Sequence, residues 1–375
     1  MTFVIVGGGL AGASAAAELR DSGYDGPLVL FAAEQHPPYH RPPLSKGYLA
    51  GDRTVESTYV HPPEWYAEHE VDLRTATPVT TLDLAARVVR TAVGEQPFTR
   101  LLLATGATPR RLPMAEESGV PVAYLRTLED SDRLRASFGE GRRLVIVGGG
   151  WIGLEVAAAA RAAGTEVTVL ESAAQPLLAV LGPEVARVFA DKHRREGVDL
   201  RTGVGATQAD LAGADLVLVG IGAAPSVELA AAAGLAVDNG VLVDARLRTS
   251  DPDVVAAGDL ANHDHPVLGR RVRVEHWDNA AEQGKVAART MLGGEEDYTR
   301  LPYFFTDQYD LGMEYFGHGS ADDEVVVVGD TDGVFRAYWV ADGTVVAAMH
   351  VNDWDASDEV RATVGRSAAD LPGRS

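Results

Sequence analysis

The chain has 375 residues, 46% of them hydrophobic, enough for two or three domains with buried cores. Its formal charge of −21 argues against nucleic acid or an anionic membrane surface as a partner. The absence of cysteine excludes disulfides, thiolate metal sites and a redox-active cysteine pair.

The opening run Thr2 to Val6 is apolar and β-branched, which predicts a buried strand. Gly7-Gly8-Gly9-Leu10-Ala11-Gly12 follows, then a helix-forming segment from Ala13 to Arg20. Strand, G-x-G-x-x-G and helix in that order form a dinucleotide fingerprint. Gly7 makes the turn, Gly9 admits a pyrophosphate to the backbone, and Gly12 lets helix and strand pack closely. The next apolar run, Leu28 to Phe31, ends near Glu34, 22 residues past Gly12, where an acid that binds a ribose hydroxyl is expected. Prolines then stiffen the segment Pro37 to Lys46, which holds Arg41 and Lys46. Lys46 is one of only three lysines in a chain that otherwise uses arginine. A compact ammonium at such a place does something that a planar guanidinium would not.

The fingerprint recurs as Gly148-Gly149-Gly150-Trp151-Ile152-Gly153 after the run Leu144 to Val147, 141 residues beyond the first. Glu171 stands 18 residues past Gly153, at the end of the next apolar run. Two complete βαβ contexts in one chain predict two bound nucleotides. Downstream, Leu216 to Gly222 reads as a strand ending in glycines, and Gly222 is expected to line the nicotinamide site. Asp278-Asn279 is read as the N-cap of a helix running to about Met291. Strands are predicted at Glu324 to Gly329, Phe335 to Val340 and Val345 to Val351. Asp332-Gly333 and Asp342-Gly343 serve as hairpin turns, and a helix follows from about Ser357. The aromatic stripe Tyr303, Phe304, Phe305 and Tyr309 is read as core. The tail from Leu371 to Ser375 has no pattern and is expected to be disordered.

Y-x-R-P-P-L-S-K at Tyr39 to Lys46, the strand and turn Leu101 to Ala107, the segment Thr249 to Asp259, Glu275 to Ala280 and Phe304 to Asp310 together resemble one family. It is that of the FAD-dependent NAD(P)H:ferredoxin reductases of oxygenase systems, which includes putidaredoxin, rubredoxin and biphenyl-dioxygenase ferredoxin reductases. The resemblance implies an α/β fold with two Rossmann-like domains of the two-dinucleotide flavoprotein type and a small C-terminal α+β domain. The expected bounds are 1–112 with 240–297 for FAD, 113–239 for NAD and 298–375 for the last domain. It implies that FAD contacts Gly7, Gly9, Leu10, Ala11, Gly12, Glu34, Arg41, Lys46, Val79, Ala104, Thr105, Gly106, Arg126, Gly258, Asp259, His276 and Trp277. NADH would contact Gly148, Gly150, Trp151, Ile152, Gly153, Glu171 and Gly222. It also places Lys46 beside the flavin, paired with Glu155, and makes Lys46, Glu155 and Trp277 the reactive set. No metal site is expected.

The activity so implied is hydride transfer from NADH to FAD, then single electrons to an iron–sulfur ferredoxin serving a haem monooxygenase or ring-hydroxylating dioxygenase. A redox-sensing NADH-binding flavoprotein resembling apoptosis-inducing factor is the alternative. At −21, long-range attraction of an acidic ferredoxin needs a local basic patch, for which Arg270, Arg271 and Arg273 are candidates. No run approaches the roughly 20 apolar residues of a membrane span, and no basic, cleavable segment precedes the first strand. A cytoplasmic monomer or weak dimer with no membrane partner is expected.

Overall fold

The computed structural model describes residues 1–371; the expectation for the tail beyond Leu371 lies outside the described residues. The chain divides into two compact units. The first comprises Met1–Arg41, Thr54–Thr108 and Ala223–Arg300, and the second Pro42–Arg53, Pro109–Gly222 and Leu301–Ser375.

The first unit is built on a parallel sheet in the order Val254–Ala256, Arg100–Leu103, Phe3–Val6, Leu28–Phe31, Val71–Arg74. Phe3–Val6 is central and buried along its whole length, as a strand covered on both faces must be, which is why its sequence is continuously apolar. The helix Leu10–Asp21 buries Ala11, Ala13, Ala15 and Ala16, and the helix Trp277–Met291 crosses it so closely that a β-carbon on Gly284 would lie 2.4 Å from the Ala11 carbonyl oxygen. This second helix starts two or three residues earlier than the sequence suggests, with His276 at its N-cap in place of Asp278 or Asn279. The polar groups read as caps are engaged elsewhere. Asp278 receives both arms of Arg300 at 2.7 Å, while Asn279 donates to the Val274 carbonyl and accepts from the Tyr298 hydroxyl. A three-stranded antiparallel meander, Val79–Asp83, Val88–Thr91 and Gly94–Pro97, was not visible in the sequence pattern.

The second unit repeats the parallel design in the order Asp199–Thr202, Glu166–Glu171, Arg143–Val147, Leu216–Val219, Val122–Ala123. The helix Leu128–Ala136 opens on a capping box, in which Thr127 accepts from the Asp130 main chain and Asp130 from Thr127. The long helix Leu178–Arg195 is broken at Gly182, whose left-handed φ of 72° precedes Pro183. An antiparallel sheet follows in the order Tyr303–Gln308, Leu311–Gly317, Thr344–Val351, Phe335–Ala341, Glu324–Gly329. Three of these strands and both Asp-Gly turns match the sequence reading, and the first two strands are additional. Leu154, Leu181, Val185 and Phe189 share one core with Met313, Trp339 and Met349 of this sheet.

One buried polar contact in the first unit responds to acid. The Gln283 side chain accepts from the Gly258 main chain at 2.9 Å and donates to His263 Nδ1 at 3.3 Å. His263 is 1% exposed. Burial, aided by the adjacent His265 and Arg271, pushes its imidazole down to about 4. Unfolding releases it to an ordinary value near 6.5, so between those two values the unfolded chain binds more protons than the folded one. Stability is therefore full above about pH 6.5 and falls as the pH drops toward about 4, by at most about 3 kcal/mol from this group. Thermal melts from pH 7 to pH 4 should show a shallower loss for His263→Gln than for the parent chain. Parallel curves would remove His263 as the cause.

Candidate functional site

Most of the residues predicted for the two nucleotides follow the carboxyl ends of strands in the two parallel sheets, while Val79 lies in the meander and Lys46 and Arg126, expected at FAD, lie in the second unit. The carboxyl ends are where a βαβ fold leaves main-chain groups and helix N-termini uncovered. In the first unit, Gly7 follows Val6, Ala104, Thr105 and Gly106 follow Leu103, Glu34 lies three residues past Phe31, and Gly258 and Asp259 follow the strand Val254–Ala256. Gly7 has φ of +132°, and a β-carbon there would lie 2.0 Å from the Ala104 carbonyl oxygen. A β-carbon on Gly12 would lie 2.1 Å from the Gly7 carbonyl oxygen. Gly9, by contrast, faces open space, with nothing within 4 Å of its missing side chain. The helix begins at Leu10 and Ala11 with no side-chain cap and no acid in its first turn. An uncapped N-terminus fronted by room at the middle glycine fits a pyrophosphate.

Glu34 is positioned by the loop after it. Arg41 Nη2 donates to Glu34 Oε1 at 2.8 Å, the Tyr39 hydroxyl donates to Glu34 Oε2, and Arg41 Nη1 also donates to the Tyr39 oxygen at 3.0 Å. Tyr39 was not among the predicted site residues; its spacing in Y-x-R, which puts both side chains on one side of an extended loop, is the signal that reveals it. Thr105 Oγ1 donates to the Ser226 carbonyl, and Gly106 accepts from the Ser226 main chain, which fixes this turn. His276 is 8% exposed and precedes the half-buried Trp277, their rings 5.7 Å apart. Val79 opens the separate antiparallel meander and packs on the main core.

In the second unit the same turn is built again. A β-carbon on Gly148 would lie 2.4 Å from the Gly220 carbonyl oxygen, and one on Gly153 2.3 Å from that of Gly148, while Gly150 is open to 3.9 Å. The helix Trp151–Ala162 likewise has no side-chain cap and no acid in its first turn. The partly buried Trp151 ring lies 4.5 Å from that of Phe304 and 5.9 Å from that of Phe189. Ile152 is 47% exposed. Glu171 is held at both oxygens, Oε2 accepting from the Gly149 main chain at 2.6 Å and Oε1 from the Ala173 main chain at 2.7 Å. Gly222 has φ of +96°, and its carbonyl accepts from the Arg110 main chain. Arg126 is also in this unit, its main-chain N–H bonded to Asp130 Oδ2 at 3.0 Å.

Lys46 and Glu155 meet in this unit. Lys46 Nζ lies 2.6 Å from Glu155 Oε1 and 4.9 Å from the centre of the Phe305 ring, with the Glu155 side chain 4% exposed. The aromatic stripe thus divides, Phe304 packing on Trp151 while the Phe305 ring carries the ammonium. Ser45 and Thr306 complete the surroundings of Glu155 and were missed as site residues. The arginine cluster is less of a basic patch than its sequence suggests. Arg271 donates to the Val243 and Asn262 carbonyls, and Arg273 is ion-paired with Glu275 and donates to the Asp259 carbonyl.

The contrast between the glycines is testable. Gly9→Ala has room and an extended backbone, so the flavin-free protein should melt within about 1 °C of the parent while FAD affinity falls at least about tenfold. Gly7→Ala meets the Ala104 carbonyl at a left-handed φ and should lose about 3 kcal/mol or more of stability. Melting curves and flavin content separate the two; equal destabilisation would contradict the open space at Gly9.

Residues 1–284 match the family model described as pyridine nucleotide-disulphide oxidoreductase, and residues 303–373 match the one described as reductase C-terminal. The chain is 41% identical over 368 residues to the anthranilate 1,2-dioxygenase system ferredoxin–NAD(+) reductase component of Burkholderia cepacia, covering 93% of this chain and 90% of the relative. It is 38% identical to putidaredoxin reductase of Pseudomonas putida, with 93% and 88% covered. It superposes with a TM-score of 0.90 and 38% identity on a chain of the covalent putidaredoxin reductase–putidaredoxin complex, covering 96% of this chain and 91% of that one. The chain therefore belongs to the pyridine nucleotide-disulphide oxidoreductase family, within its branch of FAD-dependent NAD(P)H:ferredoxin reductases.

Proposed function

We propose that this chain is an NADH-dependent flavoprotein reductase that passes electrons from NADH through FAD to an iron–sulfur ferredoxin. The ferredoxin in turn serves a haem monooxygenase or a ring-hydroxylating dioxygenase. The observation that carries the reading is the pair of open, uncapped glycine turns, one in each unit, in a chain with no cysteine. Two dinucleotides in one chain call for electron transfer between them, and without cysteine the chain has no dithiol to relay it onward. The relatives named as ferredoxin–NAD(+) reductase components support a ferredoxin as acceptor. We assign 1–112 with 240–297 to FAD binding, 113–239 to NAD binding and 298–375 to a C-terminal domain, and expect a monomer or weak dimer.

FAD, when bound, would supply the acceptor for a hydride from NADH and the one-electron donor for the ferredoxin. The chain's own residues hold and bias that chemistry. The helix N-terminus behind Gly9, Leu10, Ala11 and Gly12 receives the FAD pyrophosphate, and Glu34, kept in place by Tyr39 and Arg41, receives a ribose. Gly258, Asp259, Val79, Ala104, Thr105, Gly106, Arg126, His276 and Trp277 complete the FAD contacts, with Trp277 counted in the reactive set. Lys46 supplies a compact positive charge that favours hydride arrival. Glu155 keeps that ammonium desolvated yet paired, a balance that fails when either partner is removed. The second turn, Gly148 to Gly153, receives the NADH pyrophosphate, Gly222 lines the nicotinamide side, and Glu171 receives the adenosine ribose.

The assay is NADH-driven reduction of cytochrome c by the yellow, FAD-containing protein with and without an added ferredoxin. Strong dependence on ferredoxin is expected, and slow turnover indifferent to it would overturn the reading. Lys46→Met should keep FAD and slow flavin reduction by NADH about tenfold or more in stopped flow; an unchanged rate would remove Lys46 from the reaction. Nicotinamide choice follows from Glu171. NADPH brings a dianionic phosphate against a carboxylate, and residues 172–180 contain no Lys or Arg to offset it. Close repulsion of this kind amounts to a few kcal/mol before solvent screening. NADH should be preferred by at least about tenfold in kcat/KM, equivalent to about 1.4 kcal/mol, and Glu171→Ala should narrow the gap by weakening NADH. Equal efficiency of the two cofactors in the parent chain would place the choice elsewhere.

A further inference from the structure

Glu155 sits at the end of a buried polar chain that runs into the C-terminal sheet. Thr306 Oγ1 lies 2.6 Å from Glu155 Oε1, Gln308 Nε2 lies 3.1 Å from Thr306 Oγ1, and His193 Nε2 lies 2.9 Å from Gln308 Oε1. Thr306, Gln308 and His193 are at most 1% exposed. A core strand and two helices do not place four polar side chains in contact without cost, because each must find its partner inside the protein.

The directions of these bonds follow from the donors available. Glu155 is bound to the Lys46 ammonium at 2.6 Å and so acts as a carboxylate, which accepts only. The single Thr306 hydroxyl proton therefore goes to Glu155. The Thr306 oxygen must then accept from Gln308, which turns the amide NH2 toward Thr306 and its carbonyl oxygen toward His193. That oxygen accepts only, so His193 carries its proton on Nε2. The remaining ring nitrogen, Nδ1, is buried with no hydrogen-bond partner among the described residues, as suits a bare nitrogen better than a second N–H. Burial holds the His193 imidazole below its ordinary range and so keeps it neutral. Every N–H and O–H in the chain thus points the same way, toward Glu155, and in a water-poor interior such aligned bonds reinforce one another.

We propose that Thr306 and Gln308, anchored by His193, are positioning residues that fix the Glu155 carboxylate on the Lys46 ammonium. The strand Tyr303–Gln308 is thereby part of the apparatus for hydride uptake. The proposal rests on the reading of Lys46 and Glu155 as members of that apparatus. Ser45, which donates to the other carboxylate oxygen at 2.5 Å, holds the second side of the same group. With three donors on one carboxylate, loss of one leaves the group in place but free to turn.

Thr306→Val keeps the shape and removes the hydroxyl. It should slow flavin reduction by NADH at least about fivefold while the apparent NADH affinity stays within about twofold. Thr306→Ser should restore the rate to within about twofold. Gln308→Met should give a smaller loss of the same kind and does not depend on the folding of the valine variant. A readout free of flavin and turnover is the tautomer of His193, read by 15N NMR on flavin-free protein. The Nε2–H form is expected in the parent chain, with the Nδ1–H form gaining in Gln308→Met. The Nδ1–H form in the parent chain overturns the bond directions. Parent rates in Thr306→Val and Gln308→Met, beside a slow Lys46→Met, overturn the positioning role. A parent rate in Lys46→Met strikes the reading of the ion pair itself, and the positioning role falls with it.

Discussion

A β-carbon on Gly12 would lie 2.1 Å from the carbonyl oxygen of Gly7, and one on Gly153 would lie 2.3 Å from that of Gly148. Each helix is thus pressed against the turn from which it grows, closer than any side chain permits. The remaining geometry of both nucleotide sites follows from this contact. It brings the first N–H groups of the helix over the carboxyl end of the central strand, where neighbouring strands deliver Ala104 to Gly106 in one unit and Gly220 in the other. The N-cap residues are themselves glycines, Gly9 and Gly150, with no side chain to cap the helix, so the donors stay available for an anion. The acids at Glu34 and Glu171 are then set at a fixed remove from the turn by the length of one helix and one strand.

Around the Lys46–Glu155 ion pair, the structure shows why a lysine is kept in a chain that has almost abandoned it. A buried charge needs its counter-charge and every remaining hydrogen bond satisfied, and Glu155 meets that demand with Ser45, Lys46 and Thr306. A guanidinium would spread five donors over a plane, whereas the ammonium fits between one carboxylate oxygen and the face of Phe305.

What the sequence made legible was local. Glycine spacing encodes a backbone contact a few residues away, so both turns, their helices and the acids past them were readable before any coordinates. The Asp-Gly turns at 332 and 342 likewise announced their hairpins. What escaped was set by distant partners. Ser45, Thr306 and His193 meet their partners 110, 151 and 115 residues away, and no short-range pattern reports such pairings. Asp278 and Asn279 have the composition of a helix cap but answer to Arg300 and Tyr298 instead. The meander of 79–97 is made of short, half-exposed strands whose alternation is too weak to stand out. Trp151 sits in the contact position of the fingerprint, and its ring also packs beside those of Phe189 and Phe304.

The scarcity of lysine also governs how the protein answers to amine-directed chemistry. Lys46 and Lys192 have side chains only 18% and 12% exposed, each locked on carboxylates, Lys46 on Glu155 and Lys192 on Glu196 and Asp310. Lys285, at 42%, is the most open of the three. Among the lysines, a succinimidyl ester or an aldehyde-bearing surface will therefore react first at Lys285, ahead of the two that are locked on carboxylates. Electrodes or carriers coupled in this way would hold the molecules in one or two orientations instead of the many that a lysine-rich enzyme adopts.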